Sequence, residues 1–85
     1  MPARKMTIKI EALIMPNQGK EVKLDSDLLE DIRKNGLKNP LVVVQIYQSY
    51  IILEGFHRYV CLKALGYQEV SCLVYDLKLN SFSEK

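Results

Sequence analysis

The chain has 85 residues, enough for one small domain; with 48% hydrophobic and 26% charged residues it is not a disordered chain, and no apolar run approaches the ~18 residues of a membrane span. Twelve Lys and Arg against ten Asp and Glu leave a net charge of +2, well short of the concentrated basic stripe of a dedicated nucleic-acid module. Lys9 and Glu11 interrupt the apolar residues after the basic start Met1-Pro2-Ala3-Arg4-Lys5, so no secretory leader is read and a cytoplasmic location is expected.

Residues 1–5 read as a loose basic arm ahead of a domain spanning 6–77. Met6, Ile8 and Ile10 alternate with Thr7, Lys9 and Glu11, the period of a half-buried strand. Ala12-Leu13-Ile14-Met15 is apolar and fits either the end of a strand or a short helical turn. Pro16 to Lys20 has the chemistry of a loop. Asp25, Ser26 and Asp27 are all good N-caps for a helix over 26–35, and Asp27-x-x-Glu30 has capping-box spacing. Leu28, Leu29 and Ile32 form the apolar stripe of that helix, Arg33 and Lys34 suit its C-terminal dipole, and Gly36 and Pro40 stop it.

The β-branched run Leu41–Tyr47 predicts a buried strand, Gln48-Ser49 a turn, and Tyr50–Leu53 the next strand. His57–Leu65 reads as a second helix, apolar nearly all round and so expected to be buried, closed by Gly66. Val70, Cys72 and Val74 share one side of a last strand over 69–76, and a polar tail runs from Lys78. Cys61 and Cys72 both lie in apolar runs without metal-ligand spacing, which predicts two reduced structural thiols. The element order is β-α-β-β-α-β, and the economical fold class is α+β, a single mixed sheet with helices packed on it. A domain this small is marginally stable on its own burial, so a bound ligand, a homo-oligomer or a partner protein would help it.

Leu53-Glu54-Gly55-Phe56-His57-Arg58-Tyr59 is the stretch richest in chemistry. A strand runs through a glycine directly into a helix, leaving the first backbone N–H groups of the helix without intrahelical acceptors at the positive end of its dipole. Phosphates bind at such ends. His57 and Arg58 fall in that first turn, where cations oppose the dipole unless an anion joins them. Two readings stand: an anion site, or an Arg58 that reaches solvent beside a hydrogen-bonded His57.

The order and spacing of several short motifs resemble the ParB/sulfiredoxin superfamily over residues 8–76. They are Ile14-Met15-Pro16-Asn17; Leu28-Leu29-x-x-Ile32-x-x-x-Gly36-x-x-x-Pro40-Leu41-Val42-Val43; Gly55-Phe56-His57-Arg58; and Ala64-Leu65-Gly66-Tyr67-x-x-Val70. The resemblance implies a ParB/sulfiredoxin-like fold in which the tetrapeptide and the G-x-x-x-P turn face a nucleoside di- or triphosphate. Nucleotide or phosphate binding is thereby expected of Gly55, Phe56, His57 and Arg58, with Gly36, Asn39 and Pro40 from the turn.

The departures narrow the chemistry. Partition ParB proteins read G-E-R-R here; Phe56 replaces the acid and His57 the first arginine, so metal-dependent CTP hydrolysis of the ParB kind is not implied. Sulfiredoxins read G-C-H-R-Y, and Phe56 stands where the cysteine nucleophile would be, which removes that reaction. Serine kinases of the superfamily read D-G-H-H-R; here Glu54 takes the place of the acid. Glu54 is the one candidate catalytic residue, as a base toward a hydroxyl or as a ligand of Mg²⁺ carried by the nucleotide.

Two functions are weighed. The first is a stand-alone ParB-like nucleotide-binding module in a DNA-associated process such as regulation or plasmid or phage maintenance. The second is a small phosphotransferase, nucleotide hydrolase or nuclease built on Glu54-Gly55-Phe56-His57-Arg58. A single carboxylate in the motif favours binding over two-metal chemistry. The expected partners are a nucleotide and, weakly and without sequence preference, DNA; no membrane is expected. No helix-turn-helix follows in this chain, so specific DNA reading would need another protein.

Overall fold

A computed structural model describes residues 3–17 and 21–76. The polar tail from Lys78, most of the loop around Gly19 and the first two residues lie outside the described residues. The elements run β1 (Arg4–Lys9), a 3-10 turn (Ile10–Ala12), β2 (Leu13–Ile14), α1 (Ser26–Asn35), β3 (Leu41–Ile46), β4 (Ser49–Glu54), α2 (Phe56–Ala64) and β5 (Glu69–Asp76). One five-stranded mixed sheet has the order β1-β5-β3-β4-β2. The expected α+β class and the β-α-β-β-α-β order stand, with one short strand added.

That strand resolves the ambiguous apolar stretch at 12–15: Ile10 to Ala12 make a helical turn, and Leu13-Ile14 pair in parallel with Tyr50-Ile51. At the other edge, β1 starts at Arg4, so Arg4 and Lys5 are strand residues and not part of an arm. The antiparallel ladder with β5 extends from Lys9↔Glu69 to Arg4↔Val74, continuing for as long as β5 supplies partners. Arg4 then donates to Gln45 at 2.9 Å and pairs with Asp76 at 3.0 Å. Charges on an edge strand also discourage pairing with foreign strands.

Asp25 alone caps α1, its Oδ1 accepting from the N–H groups of Asp27 (3.0 Å) and Leu28 (3.2 Å). The anticipated Asp27–Glu30 box does not form. Glu30 instead takes the Arg33 guanidinium one turn on, and this hydrogen bond holds its carboxyl below the usual range. The β3–β4 hairpin turns at Tyr47-Gln48, one residue before the expected Gln48-Ser49. Tyr47 takes φ 58°, the positive angle that a two-residue hairpin demands.

Buried strand residues all come from one face: Ile8, Leu13, Leu41, Val43, Ile52, Val70, Cys72 and Val74. Against that face pack Ile32 of α1 and Tyr59, Cys61 and Leu62 of α2. The molecule therefore has two layers, and α2 buries one side only. His57, Lys63 and Ala64 are exposed, which corrects the expectation of a helix buried all round. A helix lying on a sheet without a third layer must show its outer side to water. Both cysteines are free and buried, as expected of structural thiols. Burial pushes the Cys72 thiol up to about 11, and the Cys61 thiol, donating to the Asp25 carbonyl at 3.7 Å, is raised as well.

Candidate functional site

The strand-to-helix junction is made by Gly55, the residue that precedes α2. It holds φ 101° and ψ 28°, a left-handed conformation that side chains rarely adopt. A Cβ there would lie 2.6 Å from Cδ2 of Leu41, which is fully buried, and 3.1 Å from Nη2 of Arg58. Glycine is thus required twice, by angle and by space. The first backbone bond of α2 runs from the Tyr59 N–H to the Gly55 carbonyl at 2.8 Å. The N–H groups of Phe56, His57 and Arg58 consequently precede the intrahelical ladder. No side chain caps them and no acidic residue stands in the first turn.

These groups open on a cleft of about 490 Å³, lined by Leu28, Asn39, Leu53, Glu54, Gly55, Phe56, His57 and Arg58. Its size is within the range of small-ligand sites. Arg58 is half-buried, and its Nη1 donates to the carbonyls of Asn39 and Pro40, each at 3.2 Å. The guanidinium clasps the turn between α1 and β3 to the start of α2. A guanidinium has five donors, and among the described residues Nε and Nη2 have no protein acceptor. Glu54 ends β4, is exposed, and makes none of the ion pairs found among the described residues; Arg58 is engaged by backbone carbonyls and not by Glu54. His57 is exposed on the same rim.

Of the residues singled out from sequence, the fold gathers Glu54, Gly55, Phe56, His57, Arg58 and Asn39 in the cleft lining. Pro40 stands just behind, presenting its carbonyl to Arg58. Gly36 does not reach the lining; it terminates α1, its N–H bonded to the Ile32 carbonyl at 2.8 Å. Two lining residues escaped the sequence reading. Leu28 belongs to the apolar stripe of α1, and nothing in that stripe tells which member borders a cleft. Leu53 is brought there at an irregularity in the β3–β4 ladder, where Val42 pairs with Glu54 and Val43 with Ile52. A larger groove of about 560 Å³ lies beside Tyr59, Lys63 and Tyr67. None of Glu54, Gly55, Phe56, His57 and Arg58 lines it, so the smaller cleft is the better candidate.

Phe56 packs its ring against the core from a half-buried position. Phe56→Ala is expected to lower stability by about 1–3 kcal/mol, below the ~3–5 kcal/mol of a fully buried phenylalanine. Urea unfolding checks this; an unchanged midpoint would show that the ring makes no packing contribution.

The fold is shared widely. A sulfiredoxin from Arabidopsis thaliana superposes with a TM-score of 0.78 at 21% identity, over 95% of this chain and 94% of that one. A C-terminally truncated chromosome-partitioning protein ParB from Caulobacter crescentus, complexed with CTP-γ-S, gives 0.68 at 23% identity, over 95% of this chain and 49% of that one. In sequence, the chain is 32% identical over 72 residues to an ATP-dependent L-serine kinase of Desulfurococcus mucosus, which covers 81% of this chain. The chain spans only 28% of the length of that kinase. The model of the ParB N-terminal domain matches residues 5–83, nearly the whole sequence, and the chain belongs to the ParB N-terminal domain family.

Proposed function

We propose that this domain binds a nucleoside di- or triphosphate with its phosphates on the N-terminus of α2. The observation that carries the reading is the run of uncapped N–H groups at Phe56–Arg58, opening on a cleft beside a half-buried guanidinium with donors to spare. Backbone donors and the helix dipole hold the phosphates, Arg58 neutralises them, and Asn39 is positioned to meet the base or ribose. Leu28, Leu53 and Phe56 supply the apolar wall. The CTP-γ-S complex of a fold relative and the ATP dependence named for the D. mucosus kinase support a nucleotide as the ligand.

A second reading, phosphoryl transfer, is favoured by Glu54 standing free on the same cleft. Its carboxylate would accept the proton of an attacking hydroxyl while the N–H groups take up the charge of the transferred phosphoryl. Among the described residues no cluster of three or more His, Cys, Asp or Glu is suited to hold a metal. Mg²⁺ is compatible with the cleft only as an ion carried by the phosphates, with Glu54 the available carboxylate; it would supply charge neutralisation there.

A thermal-shift series with ATP, ADP, CTP and GTP, with and without Mg²⁺, tests the binding. A nucleotide at about 100 times its dissociation constant should add about 2.7 kcal/mol, on the order of 10 °C in Tm for a domain of this size. No shift with any of the four would remove the reading. Conversion of ATP or CTP during incubation with a hydroxyl substrate, lost in Glu54→Gln while the shift persists, would establish transfer.

Any DNA contact of this domain is expected to be weak and non-specific. The nearest basic cluster is Arg33, Lys34 and Lys38, and two of its members are already paired, Arg33 with Glu30 and Lys38 with Asp31 at 3.5 Å. Fluorescence anisotropy on unrelated duplexes should give affinities of about 10⁻⁴–10⁻⁶ M and a log–log salt slope no steeper than about −3. Nanomolar binding to one duplex would contradict this.

A further inference from the structure

The larger groove, of about 560 Å³, takes no part in the nucleotide site. It opens between the C-terminal half of α2 and the 3-10 turn. The Ile10 N–H donates to the Gln68 carbonyl at 2.9 Å and ties that turn to the link between α2 and β5. Tyr59 lines the groove with only 8% of its surface exposed. Its ring belongs to the core, yet among the described residues its hydroxyl has no hydrogen-bond partner. No side-chain oxygen or nitrogen of the described residues is both sealed from solvent and unpartnered, so this hydroxyl reaches the groove surface. A phenylalanine would fill the core equally well, and a buried tyrosine hydroxyl normally finds a partner.

Two charges frame this floor. Lys63, one turn on in α2, holds its ammonium over the Tyr59 ring, 5.6 Å from the centroid. Glu11 stands in the 3-10 turn. Both are exposed, and neither makes any of the ion pairs found among the described residues. Lys9 and Glu69 also border the groove, but they are ladder partners next to the core pair Ile8↔Val70. Strand alternation directs their side chains away from the helices, where their opposite charges cancel. The walls are apolar: Ile10, and the ring of Tyr67, which is 37% exposed just after the turn at Gly66.

We propose that this groove binds a free α-amino acid with a large apolar or aromatic side chain. Its carboxylate accepts from the Tyr59 hydroxyl and the Lys63 ammonium, its ammonium pairs with Glu11, and its side chain lies along Tyr67 and Ile10. A simple carboxylate would meet Glu11 without a compensating charge, and a simple amine would meet Lys63 in the same way. Glu11 also disfavours a multiply charged phosphate, so this is not a second nucleotide site. A dipolar ligand is the one that uses both charges.

Titration of the whole chain with L-phenylalanine to about 20 mM, followed by amide NMR shifts, tests this; a dissociation constant on the order of 1 mM is the scale for about a dozen non-hydrogen atoms. L-serine lacks the apolar side chain, 3-phenylpropionate lacks the ammonium and phenethylamine lacks the carboxylate; each should bind about tenfold more weakly or worse. Tyr59→Phe keeps the ring and should weaken L-phenylalanine about tenfold with the melting temperature unchanged. Lys63→Gln, at an exposed position, should do the same and decides the matter should Tyr59→Phe fail to fold. Absence of saturable shifts around the groove, equal binding of L-serine, or an affinity unchanged in both variants overturns the proposal.

Discussion

Gly55→Ala should destabilise the domain by about 2–4 kcal/mol and abolish nucleotide binding. The first contribution is conformational: a residue with a Cβ at φ 101° pays roughly 1–2 kcal/mol relative to glycine. The second is steric. The new methyl would sit 2.6 Å from Leu41 Cδ2, a side chain with 0% exposure and nowhere to retreat, and overpacking of this kind costs about 1–3 kcal/mol. Either the junction straightens or Leu41 moves, and in both cases the N–H groups of Phe56–Arg58 lose their aim. Gly66→Ala is the matched control. Gly66 also has positive φ, 83°, where the Tyr67 and Gly66 N–H groups close α2 on Leu62 and Lys63, but a Cβ there meets nothing within 4 Å. It should cost only about 1 kcal/mol, the conformational part. Urea midpoints of the two variants separate the contributions; equal shifts would show that the approach to Leu41 is not what requires glycine at 55. For a domain whose whole stability is roughly 4–13 kcal/mol, the difference is easily read.

Arg58→Ala is expected to weaken the best nucleotide by roughly 1.5–3 kcal/mol, about 10- to 150-fold, because a charge-assisted contact is lost. It should also release the turn at Asn39-Pro40, whose two carbonyls share Nη1, and lower stability by about 1–2 kcal/mol. Arg58→Lys separates these roles. A lysine keeps the charge for a phosphate but has no planar fork with which to hold two carbonyls and a ligand together. It should therefore recover part of the affinity and little of the stability. Isothermal titration with urea unfolding on the same samples measures both. Equal affinities for wild type and Arg58→Ala would remove Arg58 from the site while leaving its structural clasp intact.

Local chemistry along the chain was sufficient for α1, β5 and the strand–glycine–helix junction. Asp25, the Leu28/Leu29/Ile32 stripe and Gly36 bound α1 to Ser26–Asn35, and alternation at Val70, Cys72 and Val74 marks the buried side of β5. Those signals act between neighbours a few residues apart, so they are visible without a fold. The glycine at 55 likewise marked the passage from β4 into α2. What depended on residues distant in the chain was not legible. That Arg4 and Lys5 belong to a strand follows from partners near residue 74, and that Leu13-Ile14 form a strand follows from partners near residue 50. Which of Asp25, Ser26 and Asp27 caps α1 was settled when Asp25 reached the free N–H groups, with Glu30 drawn to Arg33. The use of Arg58 as a clasp required the turn before β3 to come within hydrogen-bond reach across 18 residues of chain. The layering was out of reach as well: the sequence shows β3 and β4 apolar on both sides, as it would for a strand buried between two layers of helix, and only the tertiary structure shows that both described helices pack on the face carrying Leu41, Val43 and Ile52.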